Sequence, residues 1–193
     1  MASFFQNSKK NFKDVDVTDQ GVNTEEFLQA SAALVEIFGL FGTVFGIVQN
    51  DMNGNIEKIR TRYSTNPAVN STLQNLVKAE VAEKKKTATE GLLWLTRGLD
   101  FTLQSLERNL ANPTEELSAS FTKGYENTLR PHHSMFVRPV FAGAMKACPY
   151  RADFYKKLGA DQAAVQEDMK QWLQGLRKVV EDIQKFYAAG KYI

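Results

Sequence analysis

The sequence is poor in the residues that make cross-links, metal centres and membrane spans. A single cysteine, Cys148, among 193 residues excludes an intrachain disulfide and suits a reducing, cytoplasmic compartment. Two histidines, His132 and His133, leave little material for a metal site. No Gly-rich phosphate loop follows a strand, and neither G-x-S-x-G nor H-E-x-x-H occurs. No metal or cofactor is therefore expected, and catalysis has no positive signal. Charge of one sign is missing as well. The 24 basic and 22 acidic residues leave a formal charge of +2, too little for a nucleic-acid footprint and enough only for weak attraction to an anionic membrane. The N-terminal M-A-S-F-F-Q-N-S-K-K is too polar for a secretory signal. The most apolar run, Ala32 to Val48, is shorter than the ~20 residues of a membrane span and carries Glu36 and three glycines.

What is present is helical periodicity. Hydrophobic content of 43% and charged content of 24% are those of an ordinary globular chain, long enough to bury a sizeable core. Asn23 and Glu26 have the spacing of an N-cap and its N3 partner, opening a helix through Phe27, Ala30, Ala33, Leu34 and Ile37. Gly39, Gly42 and Gly46 predict a break near Gly42, after which a helix runs to Asn66-Pro67. Ser71 to Lys86 reads as a helix with Lys84, Lys85 and Lys86 on its solvated face. From Thr87 the pattern Leu92, Leu95, Leu99, Leu103, Leu106 is apolar nearly all round, so this helix is central. Asn112-Pro113 reads as the next helix start, His132 to Ala147 as a further helix after Pro131, and Asp161 as the cap of a long last one. No convincing strand, hairpin signal or internal repeat is found. The expectation is an all-α fold of about seven or eight helices, in one domain over residues 1–193.

Two places carry candidate chemistry. In N-D-M-N-G-N-I-E-K (Asn50 to Lys58), Asp51, Asn55 and Lys58 stand at i, i+4 and i+7 and share one helix face. An acceptor, an amide and a cation in line suit a polyhydroxylated headgroup. The same spacing equally describes a solvated helix surface. Trp94 lies in the densest apolar helix. Its indole is either plain core or a platform for the C–H face of a sugar, with an N–H free to donate.

Four segments, in order, resemble the glycolipid transfer protein family. They are N-D-M-N-G-N-I-E-K-I-R from Asn50, T-E-G-L-L-W-L-T-R-G-L-D-F from Thr89, Y-E-N-T-L-R-P-H-H-S from Tyr125 and A-C-P-Y-R-A-D-F-Y-K-K-L from Ala147. The wording P-H-H-S is nearest to fungal members of the heterokaryon-incompatibility type. The resemblance implies a two-layer helical sandwich enclosing an apolar lipid pocket, and a non-enzymatic carrier of glycosphingolipids. It places the headgroup residues on Asp51, Asn55, Lys58 and Trp94, with the tryptophan stacked on the first sugar. Asp51 and His133 take the ceramide N–H and carbonyl, and Tyr192, in a shifted register, helps close the sugar site. An amide has one donor and one acceptor, so this pairing of Asp with His is chemically complete. Pocket-lining positions fall on Phe38, Val44, Phe45, Val48, Phe101, Leu129, Phe141 and Phe154. Where family members carry an aromatic for membrane contact just after the histidine, this chain has Met135 and then Phe136. The implied partners are a glycosphingolipid and, transiently, a membrane surface; nucleic acid is not one of them, and the chain is expected to act as a monomer.

A carrier of ceramide-1-phosphate, a glycolipid sensor and an all-α interaction adaptor are the competing readings. The phosphate-selective branch of the resembled family has arginine at the positions of Trp94 and Gly98 here. A dianion calls for several cations, and Lys58 beside Asp51 is a poor substitute. Arg97, the residue before Gly98, is expected to point some 100° away around the helix.

Overall fold

The structure, a computed structural model, describes residues 2–192. Nine α-helices make up most of it: α1 (Phe4–Asn7), α2 (Thr24–Val35), α3 (Gly46–Thr65), α4 (Leu73–Ala82), α5 (Thr87–Ala111), α6 (Leu117–Asn127), α7 (Val137–Lys146), α8 (Arg151–Leu158) and α9 (Gln162–Gly190). The nearly all-apolar surface of α5 has the expected consequence. It packs against α3, α4, α6 and α9 and forms the centre of the core. None of the described helices is long and apolar enough to cross a membrane.

Local chemistry sets most of the boundaries. Asn23 Oδ1 accepts from the Glu26 amide (3.0 Å) and caps α2, while the Glu26 carboxylate takes the Asp16 amide (2.7 Å) and the Lys10 ammonium (3.0 Å) instead of closing the box. Asp161 caps α9 by accepting from the Ala163 and Ala164 amides, both at 3.1 Å. The break at Gly42 is real. Two 3₁₀ segments, Glu36–Phe41 and Thr43–Phe45, meet there at φ +91°. No atom would crowd a Cβ at Gly42 within 4 Å, so the backbone conformation, not space, selects glycine.

Several sequence expectations are corrected. A two-residue antiparallel pair, β1 (Val17–Thr18) with β2 (Gly21–Val22), precedes α2. It is too short for a periodic signal, and the distant Gln74 Oε1 holds it by accepting from the Val22 amide (2.9 Å). Helix α4 ends at Ala82, and Lys84 has φ +58°, so the lysine run forms a turn and not a helix face. Asn112 closes α5 instead of opening α6: its side-chain amide donates to the Arg108 carbonyl (2.8 Å). The start of α6 moves to Leu117 because Arg108 grips Glu115 with two hydrogen bonds (2.8 and 2.7 Å) and holds the intervening loop. Residues 128–136 do not join α7. The His132 and His133 amides both donate to the Leu129 carbonyl (3.0 and 3.1 Å), making a tight turn after α6 that carries both histidines.

The interior near Gly42 is a cluster of phenylalanines. Phe41 lies at ring-centroid distances of 4.7 Å from Phe45, 4.8 Å from Phe154 and 5.0 Å from Phe121. Phe38 stacks on Phe45 at 5.8 Å and 7°, and Phe101 meets Phe121 edge-on at 5.5 Å. Phe38, Phe45, Val48, Phe101, Leu129, Phe141 and Phe154 are all buried. Val44 is 49% exposed. The 3₁₀ turn that sends Phe45 inward sends its predecessor out, so Val44 does not share the interior with the other seven. Phe41 and Phe121, which are not among the expected lining positions, are the hub of the cluster.

Candidate functional site

The contact of α3 with α5 builds the site. A Cβ at Gly91 would meet Lys58 Cβ at 3.1 Å and the Asn55 carbonyl at 3.4 Å, so glycine lets the two helices close up beside the polar line. Trp94 stands one turn further along α5, partly buried at the rim of the core. On α3 the line of side chains is organised. The Asn55 amide donates to the Asp51 carbonyl (3.0 Å), and its Oδ1 accepts from Lys58 Nζ (3.0 Å). Asn55 is only 4% exposed, so its orientation is fixed, and it holds the lysine in turn.

Asp51 is different. Among the described residues its carboxylate has no hydrogen-bond donor. The residue is exposed as a whole, yet the carboxylate lies against desolvating protein, which raises its pKa above the usual 3.8 and outweighs the opposing pull of Lys58. A partly desolvated acceptor left open is the kind of group a ligand N–H or O–H can satisfy.

His133 faces Trp94 from the turn after α6. The two rings are 5.7 Å apart and nearly parallel, at 23°. Tyr125, buried on α6, places its hydroxyl 3.2 Å from His133 Nδ1, and Phe141 packs at 4.4 Å from the imidazole. Phe141 also stacks on Tyr125 (5.6 Å, 12°), so one buried aromatic group supports both members of the pair. Burial first, then the neighbouring His132, Arg138 and Arg97, lowers the His133 pKa below 6.5. The ring is therefore neutral at neutral pH. In the tautomer that takes the Tyr125 hydroxyl on Nδ1, Nε2–H is left to donate.

Two features lie outside the sequence expectation. Arg97 reaches the tryptophan: its guanidinium sits 4.7 Å from the Trp94 ring centre, one turn along the same helix. Burial lowers its pKa, although it stays charged at any physiological pH. The support of His133 by Tyr125 was also missed, because Tyr125 follows Leu117 and Phe121 at four-residue spacing on α6, a pattern that any apolar core face shows. Tyr192 folds back on α9 at Lys191, which adopts φ +50°, and stacks on Phe186 at 4.7 Å. Its other aromatic neighbour, Tyr187, donates to the Thr89 carbonyl of α5 (2.7 Å), which ties the chain's end to the first turns of the helix bearing Trp94. Met135 and Phe136 are 79% and 90% exposed, just before α7. Burial pushes the Cys148 thiol up to about 12, so it remains a thiol at neutral pH.

The family model "Glycolipid transfer protein (GLTP)" matches residues 22–160, which include Asp51, Asn55, Lys58, Trp94 and His133 but not Tyr187 or Tyr192. The chain belongs to the glycolipid transfer protein family. A glycolipid transfer protein of Aureobasidium melanogenum is 48% identical over 188 residues, covering 97% of this chain and 94% of that one. The pleckstrin homology domain-containing family A member 8 of Mus musculus is 34% identical over 96% of this chain, which spans only 38% of that longer protein. Among solved structures, the fungal glycolipid transfer protein HET-C2 superimposes with a TM-score of 0.95 at 43% identity, over 98% of this chain and 99% of that one. The glycolipid-transfer-type domain of FAPP2, described as selecting simple glycosphingolipids, gives 0.91 at 31%, over 99% and 97% of the two chains. The fold is thus the two-layer all-α sandwich of this family of lipid carriers.

Proposed function

We propose that this protein moves neutral glycosylceramides between membranes without altering them chemically, as one domain spanning residues 1–193. The observation that carries the reading is the Trp94–His133 pair, nearly parallel at 5.7 Å, beside a line of Asp51, Asn55 and Lys58 whose acceptor is unused. Trp94 is assigned to the apolar face of the first sugar. Asn55 and Lys58, already locked together, address its hydroxyls. Asp51 accepts the ceramide N–H and His133 Nε2–H donates to the ceramide carbonyl, so the buried amide keeps both hydrogen bonds. The hydrocarbon chains enter between the layers, among Phe38, Phe45, Val48, Phe101, Leu129, Phe141 and Phe154. Swelling there exchanges ring–ring contacts for ring–chain contacts, and each buried CH₂ contributes ~0.8 kcal/mol. Tyr192 is assigned to the outer edge of the sugar site, carried there by the tether from Tyr187 to Thr89. Met135 and Phe136 are assigned to transient contact with a bilayer, made by a monomer in the cytoplasm.

Ceramide-1-phosphate fits less well. Gly98 is buried with its Cα face against Met52, whose Cγ a Cβ there would meet at 3.5 Å, so no cation stands one turn from Trp94 on that side. Arg97 is the cation present, and it lies over the indole. The test is a vesicle-to-vesicle transfer assay with glucosylceramide, lactosylceramide and ceramide-1-phosphate at equal mole fraction. Clear transfer of the two glycolipids and little of the phosphate is expected, with loss of glycolipid transfer in Trp94→Ala. Comparable rates for all three lipids would overturn the headgroup assignment.

A further inference from the structure

The chain's near-neutral charge conceals an asymmetry. Its 22 acidic residues average about one in nine, yet residues 127–152 contain none, while Arg130, Arg138, Lys146 and Arg151 fall within them. Arg151 is turned away, over Tyr155 and onto Asn109. The other three line one groove between α6 and α7, of about 260 Å³, together with Tyr125, Glu126 and Met145. The single carboxylate there, on Glu126, is engaged by Lys123 at 2.7 Å. Among the described residues, Arg130, Arg138 and Lys146 make no ion pair. Arg138 spends only its Nε, on the Arg130 and His133 carbonyls (3.2 and 3.0 Å), leaving its two terminal nitrogens as donors.

Beside this groove runs an apolar strip. Phe136, Val140, Gly143 and Ala147 recur at helical spacing along the outer side of α7, all exposed, with Met135 and Val137 at its head. An apolar strip flanked by cations, with no acid on the helix, is the pattern of a segment lying at a bilayer interface. Apolar insertion alone gives no reason for three unpaired cations to face one groove.

We propose that the α6–α7 groove seats the phosphate of an anionic glycerophospholipid while Met135 and Phe136 enter the bilayer, so that docking selects anionic membranes. This rests on the reading that the α7 lead-in meets the membrane. Arg138, held by two backbone carbonyls, supplies a fixed fork for the phosphate, and Arg130 and Lys146 close on it from either side. The Arg138 anchor includes the carbonyl of His133, so the lipid phosphate would press on the same turn that carries the headgroup histidine.

The test is co-sedimentation of the full chain with vesicles of phosphatidylcholine, with and without phosphatidylserine. Each cation near a charged surface is worth about a fivefold change in partition, so serine lipid is expected to raise binding by tenfold or more. Arg130→Glu/Lys146→Glu should lose that gain but keep binding to pure phosphatidylcholine. Lys178→Glu/Lys185→Glu, an equal change of net charge on exposed positions of α9, should retain it. Loss in both double variants would reduce the effect to overall charge, and no gain from phosphatidylserine in the native chain would remove it; either overturns the proposal. So would a dimer of the native chain, in the absence of vesicles, that the Arg130/Lys146 variant dissolves, since the groove would then be a self-contact. Phe136→Asp separates the underlying reading: unchanged binding to phosphatidylcholine would show that α7 is not the membrane face at all.

Discussion

Two carboxylates beside α5 meet opposite fates. Glu80, on α4, is 3% exposed and accepts from the Ala88 amide (2.9 Å), the Thr89 amide (2.7 Å) and the Thr89 hydroxyl (2.7 Å). It thereby caps the first turn of the central helix from a neighbouring element, next to the Thr89 carbonyl that Tyr187 secures. Asp51, on α3, has a partly desolvated carboxylate and no donor among the described residues. In the first region the carboxylate is fully engaged by donors inside the protein and serves the fold. The second leaves an acceptor open, and that open group is where a ligand's free energy of binding can be collected. On the proposed function, stability and binding are divided between two residues of nearly the same chemistry by what surrounds them.

The largest expected effect tests the closed side. Glu80→Ala would orphan two amides and a hydroxyl at a buried helix start and should cost about 3 kcal/mol of stability. Urea unfolding followed by circular dichroism would read this as a lower midpoint at unchanged slope. Transfer per folded molecule should not change. An unshifted midpoint would show that water or the backbone replaces Glu80, and the contrast with Asp51 would collapse.

The open side should respond in the reverse sense. Asp51→Val is expected to lower glycolipid transfer by one to two orders of magnitude, matching the ~1.5–3 kcal/mol of a charge-assisted hydrogen bond, with the unfolding midpoint unchanged or raised. The raised pKa gives a second reading. A carboxylate that binds its proton more tightly when folded destabilises the native state progressively as pH rises from its ordinary 3.8 through the higher native value. Asp51→Asn should abolish that loss, so the variant gains on the parent above this window and equals it below. Full transfer activity in a folded Asp51→Val protein would remove Asp51 from the site.

How much of this was legible in the sequence differs between the two regions for a physical reason. Helix spacing alone put Asp51, Asn55 and Lys58 on one face, because their relation is local and fixed by 100° per residue. Glu80 carried no signal, since its value comes from amides eight and nine residues away across a turn. The hub positions of Phe41 and Phe121 were hidden likewise: each reads as one more apolar residue, and only the reversal at Gly42 brings them together. The α6 start was misplaced because a local cap rule at Asn112 lost to the Arg108–Glu115 pair, which no short-range pattern encodes. The remaining assignments, Trp94 and His133 above all, came from resemblance and not from spacing.

A smaller effect concerns His133, the donor proposed as the partner of Asp51 on the ceramide amide. Burial holds His133 below its ordinary pKa of 6.5, so the native protein resists taking up the proton that the unfolded chain accepts. The stability contributed by this group is intact above pH 6.5 and is lost as pH falls below it towards the lower native value. Transfer is expected to be flat from about pH 8 down to 6.5 and to decline only beneath that range, as a charged imidazole loses its hydrogen bond from Tyr125. Tyr125→Phe should move the onset without changing the plateau by more than a few fold. A decline already starting above about pH 7 would mean that the imidazole is not held neutral by its surroundings.

The smallest effect separates two tasks of Trp94. Its ring is shared between His133, stacked at 5.7 Å, and the Arg97 guanidinium at 4.7 Å. If the sugar takes the face that Arg97 covers, the arginine must swing aside, which forgoes a cation–π attraction of about 0.5–1 kcal/mol at a partly exposed site. Arg97→Ala removes that competition and should tighten binding of a monoglycosylceramide two- to fivefold. If Arg97 instead addresses the sugar's hydroxyls, the same change weakens binding by a similar factor. Tryptophan emission distinguishes the cases without reference to affinity. The other tryptophan, Trp172, is buried against Phe5 and Phe12, so a ligand-induced change reports on Trp94. On the competing model the emission of free Arg97→Ala already approaches that of the lipid-bound parent, because the guanidinium has left the indole in both. Free spectra that coincide for parent and variant, with weaker binding, would make Arg97 a sugar contact and leave the ring ordered by His133, stacked on it, and His132, edge-on at 6.4 Å.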